Sequence, residues 1–358
     1  MTVHTDCIHF RGDIPCRPHK QHGVHCDNCT YNQSLTTQIL IIKLGAVGDV
    51  IRTTPLLQRI REVYPAAAIW WLTLTPEVVP SNVNTVLCFS PESCLILQAM
   101  EFDIVINLDK DLEACALANL ITAKEKKGFL LSPNGKPSPA DKNAEHKFIT
   151  GIFDDLSQAN TKSYLDEIFE ICGWKFGGEE YCIDTIEYSG EQIPNSGKKI
   201  IGLNTGCGDR WVSRLWEFSR WEQLILKLTA KGYFPILLGG KQEYEKNSEL
   251  SQITNAYCPL PRKLPEFIAL MNQCDVIVTG VTMALHLGIG LRKRLVVMNN
   301  IFNHHEFELY GRGEIIQPER RCTCYFKPTC SNPEYNCMEF LSVEQVIQAI
   351  ERQVTVKK

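Results

Sequence analysis

The chain is constrained most by a series of short apolar runs, each followed by a segment of helical period, that starts twice. The first series opens with Gln38-Ile39-Leu40-Ile41-Ile42-Lys43-Leu44. A run this short, bounded by a glycine-containing turn, reads as a strand buried on both faces of a parallel sheet. Leu56, Leu57 and Ile60 then fall at helical spacing between Thr53 and Tyr64. Ala68–Thr73 and Asp103–Leu108 are the next strands, a helix pattern runs from Leu112 to Thr122, and Gly128–Leu131 is a further strand. A polar loop over 132–147 leads into a helical region from Lys147 to about Cys172. The pattern restarts with strands at Lys199–Asn204, Phe234–Gly240, Asp275–Gly280 and Arg294–Met298. Between them lie one helix carrying Trp221, Leu224, Ile225 and Leu228, and another carrying Glu243 and Glu245. Such alternation predicts an α/β chain with right-handed crossovers.

A length of 358 residues exceeds what one hydrophobic core usually holds. The expected organisation is two Rossmann-like doubly wound domains, over 37–190 and 198–340, facing each other across a cleft. A Cys/His-rich segment (1–36) precedes them and an amphipathic helix (341–358) follows. Residues 188–199, with Gly190, Pro194, Asn195 and Gly197, form the expected linker. The net charge of −4 supplies no basic field, so nucleic acid is not an expected partner. No stretch approaches the roughly 18–20 apolar residues of a membrane span, and the polar N-terminus lacks a signal-peptide core. A cytoplasmic location is therefore expected.

Eight of the 16 cysteines fall in two clusters. Cys7, Cys16, Cys26 and Cys29 lie in a segment without helical or strand period, which cannot bury a core of its own. Four soft ligands including a C-x2-C pair favour a structural metal over free thiols, zinc or iron, with zinc preferred. Their spacing is not that of a ferredoxin cluster. Cys322, Cys324, Cys330 and Cys337 leave three readings open: a second metal site, ligands shared with the first cluster, or packed thiols.

In open parallel sheets ligands bind outside the carboxyl ends of strands. Gly45 and Gly48 allow close backbone approach after the first strand, and Asp49 falls near a helix start. Asp49 is either a helix cap or a general base. The glycine spacing fits neither a dinucleotide fingerprint nor a Walker loop. Asp109 and Asp111, at the end of another strand, read as helix-capping acids or as contacts to acceptor hydroxyls. Asn300, in the amide- and histidine-rich stretch Asn299–Glu308, is a candidate base or sugar contact.

Several of these stretches together resemble the ADP-heptose heptosyltransferase family (glycosyltransferase family 9). The resemblance lies in Ile39–Leu57, Phe102–Leu108, Ile201–Gly206, Arg214-Leu215-Trp216, Leu237–Gly240, and Thr282 with His286-Leu287. It covers residues 38–350, in order, and implies a GT-B fold with inverting transfer that needs no metal or other cofactor for catalysis. By resemblance, Asp49 deprotonates the acceptor hydroxyl and Arg214 neutralises the departing diphosphate, with Arg210 assisting. Thr205 and Gly206 belong to the donor site, and Glu243 or Glu245 holds the nucleotide ribose. Gly45 and Ala46 join Asp109 and Asp111 on the acceptor side. The family's diphosphate loop reads D-T-G-x-x-H, whereas here it is Val281-Thr282-Met283-Ala284-Leu285-His286: the acid and the glycine are replaced. Amides of Met283 and Ala284 at a helix start can still bind phosphate.

The implied partners are an ADP-heptose-like donor and a glycan (lipopolysaccharide core-like) or protein acceptor, with peripheral contact at the inner membrane face. Two other functions compete: a non-catalytic nucleotide-sugar-binding scaffold, and a metal or redox module built on the cysteines.

Overall fold

The first apolar run forms β1 (Thr37–Ile42) in a computed structural model that describes residues 2–188, 193–320 and 322–355, less the side chains of residues 209 and 210. Ile39 to Ile42 are wholly buried, as a strand covered on both faces requires. β1 pairs in parallel with β2 (Ala67–Thr73) and β4 (Glu101–Asn107). β3 (Thr85–Cys88) extends the sheet beyond β2, and β5 (Thr122–Leu131) extends it beyond β4. β6 (Pro137–Pro139) pairs antiparallel with β5, so the order is β3-β2-β1-β4-β5-β6. Leu40, Ile42, Leu72 and Val105 pack with Ala114, Leu117 and Ala118 of the helix Leu112–Leu120 into the core on one face.

A second sheet, all parallel, contains β7 (Ile200–Asn204), β8 (Phe234–Leu238), β9 (Val276–Gly280), β10 (Arg294–Met298) and β11 (Gly313–Ile316). Its order, β11-β10-β9-β7-β8, reverses direction beside β7, the place where doubly wound sheets bind ligands. The helix Phe218–Ala230 buries Trp221, Leu224, Ile225 and Leu228 against Ile201, Leu203 and Val278, and Val346 and Ile350 of the terminal helix Val343–Thr355 complete that core.

The short strands β3, β6 and β11 were not anticipated. They lie at or next to sheet edges and are at most half-buried, so they lack the continuous apolar texture of central strands. The expected helix from Lys147 to Cys172 is three helices, Glu145–Thr150, Asp154–Ala159 and Tyr164–Ile171. The last starts afresh because Ser163 and Asp166 cap reciprocally: the Asp166 amide donates to Ser163 Oγ (3.0 Å) and the Ser163 amide to Asp166 Oδ2 (2.9 Å). The linker expected at 188–199 falls partly on residues 189–192, outside the described residues.

The contacts divide the chain into one unit of Met1–Ala46, Thr53–Phe148 and Ile168–Glu180, and another of Val47–Arg52, Ile149–Glu167 and Tyr181–Lys358. The expected first domain, 37–190, thus gives up three pieces: 47–52, 149–167 and the stretch after Glu180. The short helix Val47–Ile51 packs on the helix Met283–Gly290, and this contact assigns Asp49 to the second unit. Among the described residues, no helix is long and apolar enough to cross a membrane.

Candidate active site

In the second unit, the carboxyl ends of β7 and β9 are tied together by polar side chains. Asn204 Nδ2 donates to Thr279 Oγ1 (3.1 Å) and to Thr282 Oγ1 (3.3 Å). Thr282 is the N-cap of the helix Met283–Gly290, its hydroxyl accepting the Ala284 amide at 3.2 Å. The amides of the first turn therefore open at a strand end, where an anionic group is favoured.

Arg214 is buried beside this loop rather than solvated. Its Nη1 donates to the carbonyl of Val281, its Nη2 to that of Cys207 (2.9 Å) and its Nε to that of Trp211 (3.4 Å). The guanidinium lies over the ring of Phe302, 5.4 Å from its centroid. Burial pulls its pKa down to about 10, which still leaves it charged at neutral pH. Val281 stands where the resemblance leads one to expect an acid, and its contribution here is a backbone carbonyl that anchors Arg214. The side chain of Arg210 lies outside the described residues.

Glu243 and Glu245 are separated by the structure. A Cβ on Gly206 would stand 2.1 Å from Glu243 Oε1, so only glycine admits the glutamate against the β7 loop. Glu243 Oε2 accepts the Gly240 amide at 2.9 Å. Thr205 donates to Asn247 Oδ1 (2.6 Å), and Lys246 Nζ donates to the Thr205 carbonyl (2.8 Å). Glu245 is exposed in the first turn of the next helix, so Glu243 is the acid that the loop holds.

Asp49 sits inside the first turn of the helix Val47–Ile51, not at its cap, with its side chain 34% exposed. Arg52 Nη2 pairs with Asp49 Oδ1 at 2.8 Å, and Nη1 approaches Glu306 Oε2 at 3.5 Å. The Arg52 guanidinium also stacks 3.5 Å over the ring of Tyr164. Burial works against the charge of Arg52, yet Asp49 and Glu306 outweigh it and raise its pKa.

His286 completes the cluster. A Cβ on Gly48 would lie 2.6 Å from His286 Cδ2, so the absence of a side chain at 48 lets the two helices touch. The imidazole is buried and parallel to Tyr181, with centroids 6.3 Å apart. Burial, assisted by the Arg52 charge, drives its pKa down to about 3, so it is neutral. Its Nδ1 is buried without a hydrogen-bond partner among the described residues. A core histidine held by a satisfied hydrogen bond would not look like this. Sequence reasoning missed Arg52, Glu306, Tyr164 and Tyr181; the i,i+3 spacing of Asp49 and Arg52 was the only local sign available.

In the first unit, Asp109 is buried and accepts from Lys43 Nζ and from the Leu44 amide. Its carboxylate ties the end of β4 to the end of β1, which is a structural task. Burial raises its pKa although Lys43 opposes the shift. Asp111 is the exposed N-cap of Leu112–Leu120 but makes no side-chain cap bond. Gly45 and Ala46 end the first segment of the same unit, directly before the helix that bears Asp49.

Asn300 gives its amide to the Ser213 carbonyl (2.8 Å) and to Cys337 Sγ (3.3 Å). The four C-terminal cysteines form a network: Cys324 Sγ lies 3.6 Å from Cys330 Sγ, and the Cys324 amide donates to Cys322 Sγ at 3.3 Å. Burial pushes the Cys324 thiol up, but hydrogen bonds from Ser331 more than offset it and hold the pKa near 7. Cys337 is lowered to about 6, first by its bond with Cys322. Among the described residues, no three His, Cys, Asp or Glu side chains converge closely enough to hold a metal ion as they stand.

Two doubly wound units, one with an anion-receptive strand end flanked by a buried arginine, are the architecture of the GT-B fold. The description of glycosyltransferase family 9 (heptosyltransferase) matches residues 96–336, and the chain belongs to that family. Among solved structures, it is similar to the family 9 glycosyl transferase of Veillonella parvula DSM 2008, at 18% identity and a TM-score of 0.68, covering 89% of this chain and 97% of that one. It is also similar to E. coli ADP-heptose lps heptosyltransferase II, at 15% identity and a TM-score of 0.64, covering 88% and 98%. E. coli heptosyltransferase WaaC with ADP-2-deoxy-2-fluoro heptose aligns at 15% identity and a TM-score of 0.59, covering 88% and 99%. No curated protein matches the sequence significantly.

Proposed function

We propose that this glycosyltransferase moves a heptose from ADP-heptose to a hydroxyl of a cell-envelope glycan of the lipopolysaccharide-core type, with inversion at the anomeric carbon. The observation that carries the reading is the close approach of Gly48 to His286, which sets the Asp49 helix against the helix capped by Thr282. A base and an anion-receptive helix start thereby belong to one unit. The names of the E. coli neighbours, which cite ADP-heptose and an ADP-heptose analogue, support the choice of donor.

In this mechanism Asp49 takes the acceptor's hydroxyl proton as the oxygen attacks the anomeric carbon. The bond from that carbon to the diphosphate oxygen breaks, and ADP departs with the electron pair. Arg214 and the Met283 amide, at the helix start capped by Thr282, stabilise the charge that develops on the leaving group. One direct displacement forms no covalent sugar–enzyme species, so the configuration inverts. Neutral His286 supplies a hydrogen bond to the diphosphate without carrying a charge. The carboxylate of Glu243 suits the ribose hydroxyls.

Incubation of the purified protein with ADP-heptose and truncated lipopolysaccharide cores, read by mass spectrometry, tests the proposal. A heptose added to a core is the expected result. Transfer from other nucleotide sugars but never from ADP-heptose would refute the donor assignment.

A further inference from the structure

The segment that precedes β1 plays no part in the mechanism, and its organisation has no apolar cause. Among described residues 2–36, Pro18 is the only one buried. A stretch of that length ordinarily cannot offset its ordering entropy without a core, a disulfide or a metal. It is nevertheless folded into defined turns, and all its cysteines are free. Cys7 and Ser34 form an antiparallel bridge, with the Ile8 amide donating to Gln33 O (2.8 Å) and the Leu35 amide to Asp6 O (2.7 Å), so both ends of the segment meet. Cys16 is the N-cap of the helix Arg17–His22. Cys26 and Cys29 bracket a tight turn closed by the Cys29 amide donating to Cys26 O (3.4 Å), the usual knuckle of a thiolate pair.

These three local structures bring all four thiols to the wall of one cavity, although no three converge closely enough to hold an ion as they stand. Cys7, Cys16, Cys26 and Cys29 line a single small cavity of about 30 Å³, with His4 and His9 at its wall. A cavity of that size admits a single ion or a few waters, not a larger ligand. Two other histidines are engaged elsewhere: His19 Nδ1 contacts the Val24 carbonyl at 3.0 Å, and His22 stacks on Tyr31 with centroids 4.7 Å apart.

We propose that Cys7, Cys16, Cys26 and Cys29 bind one zinc ion as a tetrathiolate and that this ion orders the N-terminal segment. Zinc suits the set because four thiolates satisfy tetrahedral coordination and leave no open position for chemistry. The thiols surround the cavity without yet converging, and binding draws them in; ligation and ordering are then one event.

Metal analysis of the full-length protein, purified without added metal, is the test. The expected result is one zinc per chain, lost in the double variant Cys26→Ser/Cys29→Ser and retained in Cys322→Ser/Cys337→Ser. Should the first variant fail to accumulate, thiol titration of the wild type decides: four thiols should become reactive only when a chelator withdraws the zinc. Chains without stoichiometric metal, metal that follows the C-terminal cysteines, or a coloured iron centre would each overturn the assignment.

Discussion

At the scale of single residues, the arrangement depends on what is missing at position 48. A methyl group there would meet the buried His286 ring at 2.6 Å, and a ring packed against Tyr181 cannot step aside as a flexible chain end would. Gly48→Ala should therefore cost about 1–3 kcal/mol, as overpacked cores do, and should lower the melting temperature together with turnover. An unchanged melting curve would show that the two helices do not touch this closely. His286 carries its own pH dependence. Its folded pKa of about 3 lies below the ordinary 6.5, so the unfolded chain binds a proton that the folded one refuses. Stability is thus fully present above about 6.5 and falls as the pH drops toward 3, at up to about 1.4 kcal/mol per pH unit. Urea midpoints across that window should be flatter for His286→Gln than for the wild type; parallel curves would mean that the imidazole is not buried neutral.

Asp49, Arg214 and His286 could be singled out from sequence because each sits in a short recognisable stretch. The distant partner of Arg52 could not. Glu306 is 254 positions away, and no local period reports a pairing of that kind. Asp109 shows a second limit of the same kind. An acidic residue at a strand end reads equally as a helix cap or as a substrate contact, and its ion pair with the buried Lys43, one strand away, leaves no local sign.

At the scale of elements, the helix Met283–Gly290 is the piece on which donor binding turns. Its first amides are shaped by Thr282, whose hydroxyl also receives Asn204 from β7. Thr282→Ala removes the cap and should cost about 1 kcal/mol, with Thr282→Ser recovering most of it. Calorimetric titration with ADP should show weaker binding to the alanine variant and near-normal binding to the serine one. Equal affinities for all three would place the diphosphate elsewhere. The central strands β1, β2, β4, β7, β9 and β10 were legible because a parallel strand buried on both faces needs an apolar run, and the edge strand β8 was legible because it is nearly as buried as they are. β3, β6 and β11, at or next to the edges, carry no such requirement. The helical stretch after 145 looked continuous because the Ser163–Asp166 cap, a local polar exchange, leaves the apolar spacing undisturbed.

At the scale of the whole molecule, the two doubly wound units followed from the repeated alternation, but their boundaries did not. Residues 47–52 continue directly from the turn after β1, yet they pack with the second unit. Chain order alone would have left Asp49 with the first sheet; the contact between two helices assigns it instead to the unit that holds Arg214 and Thr282. The chemistry proposed for Asp49 follows from that assignment. The most direct measurement is ADP release from ADP-heptose, in the presence of an accepted core glycan, by wild type and by Asp49→Asn, alongside donor affinity for both. Loss of turnover by several hundred-fold or more with donor affinity within about threefold is the predicted result, the removal of a general base being worth roughly 10²–10⁴ in rate. Turnover that survives the substitution would contradict it.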